Sequence, residues 1–302
     1  MRIVVHGQQV FGEAVLKRLL ERDENVVAVC TAPDKEGRPV DPLKALALEH
    51  DIPVYQPASW KTDDSLALMK SFAADVCMMA YVLLFVPEAV LNAPKFGTFQ
   101  YHPSLLPMHR GPSSINWPIA TGATGTGLSI FWPDDGLDEG PILLQKECRI
   151  GPDETLGDVY FQKLFPLGVD AMIEALDLVK AGTAPKIIQD LSKGTYESWF
   201  GKEQSRIHWR QPTQQCYNII RASNPQPGAW TTHNGNTLKI YDAGVSTETG
   251  QPGTVLSISD EGILVAAGDG SVLLKRVRGD AGKVAASEYA ASKALAAGEQ
   301  FS

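Results

Sequence analysis

The stretch Ile3-Val4-Val5-His6-Gly7, followed by Gln8-Gln9-Val10-Phe11-Gly12, decides how the chain begins to fold. A short β-branched run ends at a glycine. Apolar residues then recur at Phe11, Val15, Leu19 and Leu20, the spacing of one helix face. That is a strand, a tight turn and a helix. The alternation continues outward. Residues 26–31 are a second β-branched run, and 42–50 predict a helix before a short strand at 52–55. Residues 64–74 predict a helix, 75–80 a buried strand, 87–93 a short helix closed by Pro94, and 96–102 another strand. Such alternation predicts an α/β domain with a Rossmann-like, mainly parallel sheet and helices on both faces.

Further along, residues 113–120 predict a helix, and 127–132 and 142–150 two strands around an acidic, glycine-rich loop. Residues 155–180 carry one long amphipathic pattern, interrupted at Pro166. Near residue 200 the texture changes. The apolar runs become short, at 238–241, 253–258, 262–266 and 272–277, and Asn-Gly, Glu-Gly and Asp-Gly pairs separate them. These are turns of antiparallel hairpins. They predict a small β-rich, OB-like C-terminal domain, a five-stranded, partly open barrel. The expected division is an α/β domain at 1–203 and a β-rich domain at 204–302, with a linker at 196–205 and a polar, Ala-rich tail at 281–302.

The composition narrows the function. The 302 residues carry 27 Lys and Arg against 35 Asp and Glu, a net charge of −8. An acidic balance argues against nucleic acid and anionic membrane as partners. No apolar run reaches the length of a membrane span. The first apolar run is short and is soon followed by Glu13, Lys17 and Arg18, unlike a signal peptide. The four cysteines form no Cys-x-x-Cys pair, which predicts reduced thiols in a cytoplasmic protein. The oligomeric state stays open.

Three segments carry candidate chemistry. The Gly7 to Gly12 turn has Gln9 where a dinucleotide fingerprint needs glycine, and the next strand ends Val29-Cys30-Thr31 with no acid for a ribose. It therefore reads as a structural turn. The second segment is Gln100-Tyr101-His102-Pro103-Ser104-Leu105-Leu106-Pro107-Met108-His109-Arg110-Gly111-Pro112. His102 ends a predicted strand, where α/β sheets place their ligands. His109 shares no face with it on an extended, proline-bounded loop, so a two-histidine metal site is not expected. Arg110 either binds an anion or helps to cap the following helix. Ser104 lacks the Gly-x-Ser-x-Gly setting of a serine nucleophile. The third segment is Asp134-Asp135-Gly136-Leu137-Asp138-Glu139-Gly140. A calcium loop would need an acid at its twelfth position, where Gln145 stands, so no metal is expected. The loop is either a solvated turn or the source of a carboxylate beside an imidazole, a pairing suited to proton transfer near neutral pH. Trp117, Trp132, Trp199, Trp209 and Trp230 read as core or domain-contact residues.

The run His102 to Pro107 with Arg110-Gly111, and the loop that holds Asp138, resemble the folate-dependent formyltransferase family. Within it, the chain is most similar to the N-terminal hydrolase domain of 10-formyltetrahydrofolate dehydrogenases, and also similar to methionyl-tRNA formyltransferases. Further motifs carry the resemblance: Pro33-Asp34-Lys35, Ser114-Ile115-Asn116-Trp117, Phe131-Trp132, residues 143–148 and Pro227-Gly228-Ala229-Trp230. The resemblance implies 10-formyltetrahydrofolate as formyl donor, tetrahydrofolate as product, and no need for metal or nicotinamide. It implies His102 as general acid and Asp138 as its carboxylate, with the pterin against Leu84, Phe85 and Val86. Members that formylate amines carry Asn two residues before the histidine; here that position is Gln100. Gln100 is the expected third catalytic side chain, in place of that Asn. Water is the favoured acceptor, giving formate. The alternative is an amine, on a nucleotide sugar or an aminoacyl-tRNA. A third reading is a folate-binding module without chemistry. A chain with pI near 5.3 argues against tRNA, and retention of His102 and Asp138 argues against the third reading.

Overall fold

Ile3, Val4 and Val5 have no exposed surface, because the strand they build, β1 (Ile3–Gly7), lies inside a sheet. The computed structural model describes residues 1–279 and 282–302. After β1 come α1 (Gln9–Glu21), β2 (Val26–Cys30), α2 (Pro42–Glu49), β3 (Val54–Tyr55), α3 (Asp63–Ser71), β4 (Val76–Ala80), α4 (Glu88–Leu91) and β5 (Thr98–His102). Then follow α5 (Asn116–Ala120), β6 (Gly125–Phe131), β7 (Ile142–Arg149), α6 (Leu156–Asp158) and α7 (Phe165–Ala181).

The first sheet has seven strands in the order β3-β2-β1-β4-β5-β6-β7. The first five pair in parallel, and β6 runs antiparallel to β5. Side chains alternate across a strand. Val4, Cys77 and Met79 thus meet Met69 of α3 and Val90 and Leu91 of α4 on one face. On the other, Tyr101 stacks on Phe11 of α1 with ring centroids 4.3 Å apart, and Phe165 of α7 meets Phe11 edge-on. The mainly parallel sheet with helices on both faces is as the sequence predicts.

The pattern at 155–180 is not one α-helix. A capping box between Thr155 and Asp158 starts α6, a π-helical stretch follows at Val159–Leu164, and α7 begins with Pro166 in its first turn. Proline has no N–H to give and is tolerated at a helix start. The wide turn ahead of it takes up the mismatch.

The later part of the chain holds α8 (Thr213–Ala222), β8 (Ala229–His233), β9 (Asn236–Ser246), β10 (Val255–Ser259), β11 (Gly262–Ala266), β12 (Ser271–Gly279), β13 (Gly282–Ala285) and α9 (Ala286–Ser292). The strands form a six-stranded sheet, one more than expected, in the order β10-β11-β12-β9-β8 with β13 on β12. Every pairing is antiparallel. Asn234 and Gly235 join β8 to β9 with φ of 49° and 77°, the doubly left-handed turn that Asn-Gly favours. Leu238, Ile240, Val272 and Leu274 pack with Tyr217 and Ile220 of α8. The described part of the Ala-rich tail joins the fold. Ala281 lies outside the described residues, α9 follows, and residues 298–302 bridge the outer strands. Thr232 and Ser302 exchange main-chain hydrogen bonds of 2.7 and 3.0 Å on the β8 side, and Phe301 donates to Gly253 and Val255 to Glu299 on the β10 side.

The contacts gather the chain into two compact units. One comprises Met1–Gly111, Gly127–Cys148 and Lys163–Tyr196; the other comprises Pro112–Thr126, Arg149–Gln162 and Glu197–Ser302. Two excursions thus join the later unit although they precede the expected division after residue 203. Among the described residues, no helix is long and apolar enough to cross a membrane. All four cysteines are free thiols.

Candidate active site

His102 is the last residue of β5, and strand alternation puts Gln100 on the same face. The side chains of His102 and Asp138 are 8% and 10% exposed, with Nδ1 3.7 Å from Oδ2. That is an ion-pair distance, too long for a hydrogen bond. The other ring nitrogen, Nε2, lies 3.0 Å from the carbonyl oxygen of His109. A carbonyl can only accept, so Nε2 carries a proton and donates it, and Nδ1 is the ring nitrogen turned to the carboxylate.

The proline-bounded loop that supplies the His109 carbonyl is built from local hydrogen bonds. Ser104 Oγ donates to Met108 O at 2.6 Å. Ser129 Oγ, on β6, donates to Ser104 O at 2.7 Å and accepts Leu106 N at 3.0 Å. Gln145 of β7 holds Leu106 O at 2.8 Å. Ser104 is thus fully buried and engaged as a loop former.

The acidic loop is folded as tightly. Asp134 Oδ1 accepts Gly136 N at 2.9 Å, an Asx turn. A Cβ on Gly140 would collide with the carbonyl of Trp132, so only glycine fits there. Asp138 has a left-handed φ of 56°, and its Oδ2 accepts Gly111 N at 2.9 Å. Arg110 neither caps the next helix nor stands free for an anion: it pairs with Glu139 of this loop. His109 contributes its backbone to the site, and its N–H donates to Thr195 Oγ1 at 2.9 Å.

The loop after β4 completes the neighbourhood. Leu83, Leu84 and Phe85 are exposed apolar side chains, while Val86 turns into the core. Asp135 Oδ1 accepts the N–H of Glu88 at 3.2 Å and so ties the acidic loop to the start of α4, just beyond Val86. The structure thereby ties the start of α4, two residues past Val86, to the acidic loop, and sets Asp138 beside His102. Gln100 is half-buried, and its amide makes no hydrogen bond to another described residue.

The turn between β1 and α1 is structural. A Cβ on Gly7 would run into the carbonyl of Ala80. Gln9 has φ of 58°, and its N–H donates to Asp41 Oδ2 at 2.8 Å. Asp41 Oδ1 also caps α2 through Leu43 N at 3.0 Å. A carboxylate of the chain itself therefore occupies the first amide of α1, the place where a dinucleotide fold holds phosphate. Among the described residues, no group of three His, Cys, Asp or Glu side chains could hold a metal ion.

Two engaged residues escape the sequence reading. Gln189 is 9% exposed, and its Nε2 donates to Asp138 O at 3.0 Å and Gly140 O at 2.6 Å. Thr195 accepts the N–H groups of both His109 and Arg110. Both lie in irregular chain after α7, where no period or motif marks them. Trp199, expected in a core or contact, is 63% exposed, whereas Trp132 and Trp209 are buried.

Residues 1–176 match the family model "Formyl transferase", and residues 200–294 match "Formyl transferase, C-terminal domain". The chain is 37% identical over 306 residues to the cytosolic 10-formyltetrahydrofolate dehydrogenase of Xenopus tropicalis, which covers 96% of this chain. It spans only 34% of that relative's length. It is 38% identical over 283 residues to the methionyl-tRNA formyltransferase of Geobacter sulfurreducens, covering 92% of this chain and 89% of the relative. Among solved structures, HypX from Aquifex aeolicus in complex with tetrahydrofolic acid shares the fold, with a TM-score of 0.69 and 20% identity over 99% of this chain and 48% of that one. The chain belongs to the formyl transferase family.

Proposed function

We propose that this protein takes the formyl group from N10 of 10-formyltetrahydrofolate and gives it to water, releasing formate and tetrahydrofolate. The observation that carries this reading is the nearly buried His102–Asp138 pair at the end of β5. Water adds to the formyl carbon, and the carbonyl oxygen becomes an oxyanion. Asp138 accepts a proton from the attacking water. N10 is a poor leaving group until it is protonated; Asp138 passes the water's proton to Nδ1 of His102, and the imidazolium delivers a proton to N10. The C–N bond then breaks, leaving N10–H on tetrahydrofolate and the new C–O bond in formate. Gln100, with an unengaged amide on the His102 face, donates to the oxyanion. Leu84 and Phe85 offer an apolar wall for the pterin, and the main chain at Leu84 to Val86 reads its polar edge.

Two local features support water as the acceptor. Gln100 stands where amine-formylating relatives carry Asn. Asp41 puts a negative charge on the first amide of α1, which disfavours a phosphate-bearing acceptor there. Four free thiols fit a reducing, cytoplasmic setting. The second reading, transfer to an amine, is supported by the likeness to methionyl-tRNA formyltransferase over most of both chains. One assay separates them. The full chain is incubated with 10-formyltetrahydrofolate alone, with EDTA and without nicotinamide, and formate and tetrahydrofolate are quantified. Turnover under these conditions is expected. Turnover only after adding methionyl-tRNA or an amino sugar nucleotide would overturn the hydrolase reading.

A further inference from the structure

Residues 185–196 run beside both loops of the site and are pinned to each. Pro185 O accepts the indole N–H of Trp132 at 2.9 Å, and Ile142 and Ile187 exchange main-chain hydrogen bonds of 2.8 and 3.0 Å. Thr195 then holds the loop whose His109 carbonyl meets His102. Gln189 holds the loop that carries Asp138.

The Gln189 contact is the more telling. Asp138 sits at φ 56°, a region that a non-glycine residue leaves unless its surroundings fix it. Gln189 supplies that fixing, with one amide nitrogen shared between the main-chain oxygens on either side of Glu139. The amide oxygen of Gln189 is buried and accepts no hydrogen bond. Burying such an oxygen costs stability. An apolar side chain of the same length would avoid that cost, but it would leave both loop carbonyls without a donor.

We propose that Gln189 is a positioning residue for the reaction: its amide fixes the left-handed Asp138 so that the carboxylate faces His102 and the N–H of Gly111. This rests on the reading of His102 and Asp138 as the reacting pair. Because both hydrogen bonds of Gln189 go to main-chain oxygens of the acidic loop, it acts through Asp138 and not on the folate.

Gln189→Met keeps the length and removes both N–H donors. Gln189→Glu keeps the shape and sets a carboxylate against two carbonyls, and serves if the first variant does not fold. With 10-formyltetrahydrofolate, we expect kcat to fall at least fivefold with KM within twofold of wild type. In an Asp138→Asn background the same substitution should cost less than twofold. A readout independent of turnover is the ring-nitrogen resonances of His102 in protein labelled with 15N-histidine. They should move in Gln189→Met in the same direction as in Asp138→Asn. A kcat loss under fivefold, an equal loss in both backgrounds, or an unmoved His102 resonance overturns the proposal. Should Asp138→Asn keep its turnover, or wild type show none, the reading of the reacting pair fails, and the His102 resonance still decides whether Gln189 sets the carboxylate.

Discussion

Nδ1 of His102 faces Oδ2 of Asp138 across 3.7 Å, with both side chains nearly out of water. A proton that arrives at Nδ1 therefore meets a carboxylate at once. His102→Ala and Asp138→Ala should each remove nearly all turnover while folate binding stays measurable by fluorescence titration. Groups that act as a unit do not lose activity additively, so the double variant should be little worse than either single one. A His102→Ala protein that keeps more than about a tenth of its turnover, an effect under ~1.4 kcal/mol, would remove His102 from the mechanism.

Gln100 should matter less than the pair. A well-aligned oxyanion donor is worth about 10²-fold in kcat. Gln100→Ala is expected to fall by about that factor with little change in KM. A loss as complete as that of His102→Ala would give Gln100 a part in proton transfer.

His6, at the end of β1, should make the protein sensitive to acid. It is 4% exposed and lies against Trp60, with ring centroids 4.8 Å apart. Burial pushes its pKa down to about 3. The folded state thus keeps His6 neutral while the unfolded chain takes up a proton below its ordinary pKa of ~6.5. The unfolded state binds more protons in that window, so stability falls as pH drops from ~6.5 towards 3, by at most ~1.4 kcal/mol per unit, and is untouched above it. Urea unfolding at pH 7.5 and pH 5 should show wild type losing about 2 kcal/mol more than His6→Leu. Equal losses would mean that His6 is not the source.

Asp41 links two helix starts through a single carboxylate. Asp41→Ala should lower stability by about 1–2 kcal/mol, the usual cost of a lost cap. It should also expose the first amide of α1 to anions. The variant, unlike wild type, should gain thermal stability from millimolar inorganic phosphate. Equal phosphate responses in the two proteins would mean that this carboxylate does not guard the helix start.

Much of the first sheet was legible because Ile3 to Val5, Ala28 to Cys30 and Val76 to Ala80 are short runs buried on both faces and spaced by helix-period segments. His102 and Asp138 stood out because each sits among glycines and prolines that fix a loop. The π-helical stretch was invisible, since one widened turn hardly disturbs an apolar stripe that continues from Thr155 to Lys180. Gln189 was invisible for another reason. It bonds to main-chain oxygens some fifty residues earlier, and backbone acceptors leave no trace in the identity of their residues. Arg110 showed its charge, but nothing in the sequence said that Glu139 would meet it.

The bridge made by residues 298–302 dictates an order of events during synthesis. Thr232 waits for Ser302, and Gly253 for Phe301. Both sides of the β-sheet stay open on the ribosome until the last of these residues emerges. Closing a ring through such distant partners is slow compared with forming the hairpin at Asn234-Gly235. For that interval the nascent chain carries two unpaired strand edges, and it is then that this unit is most open to pairing with a neighbour.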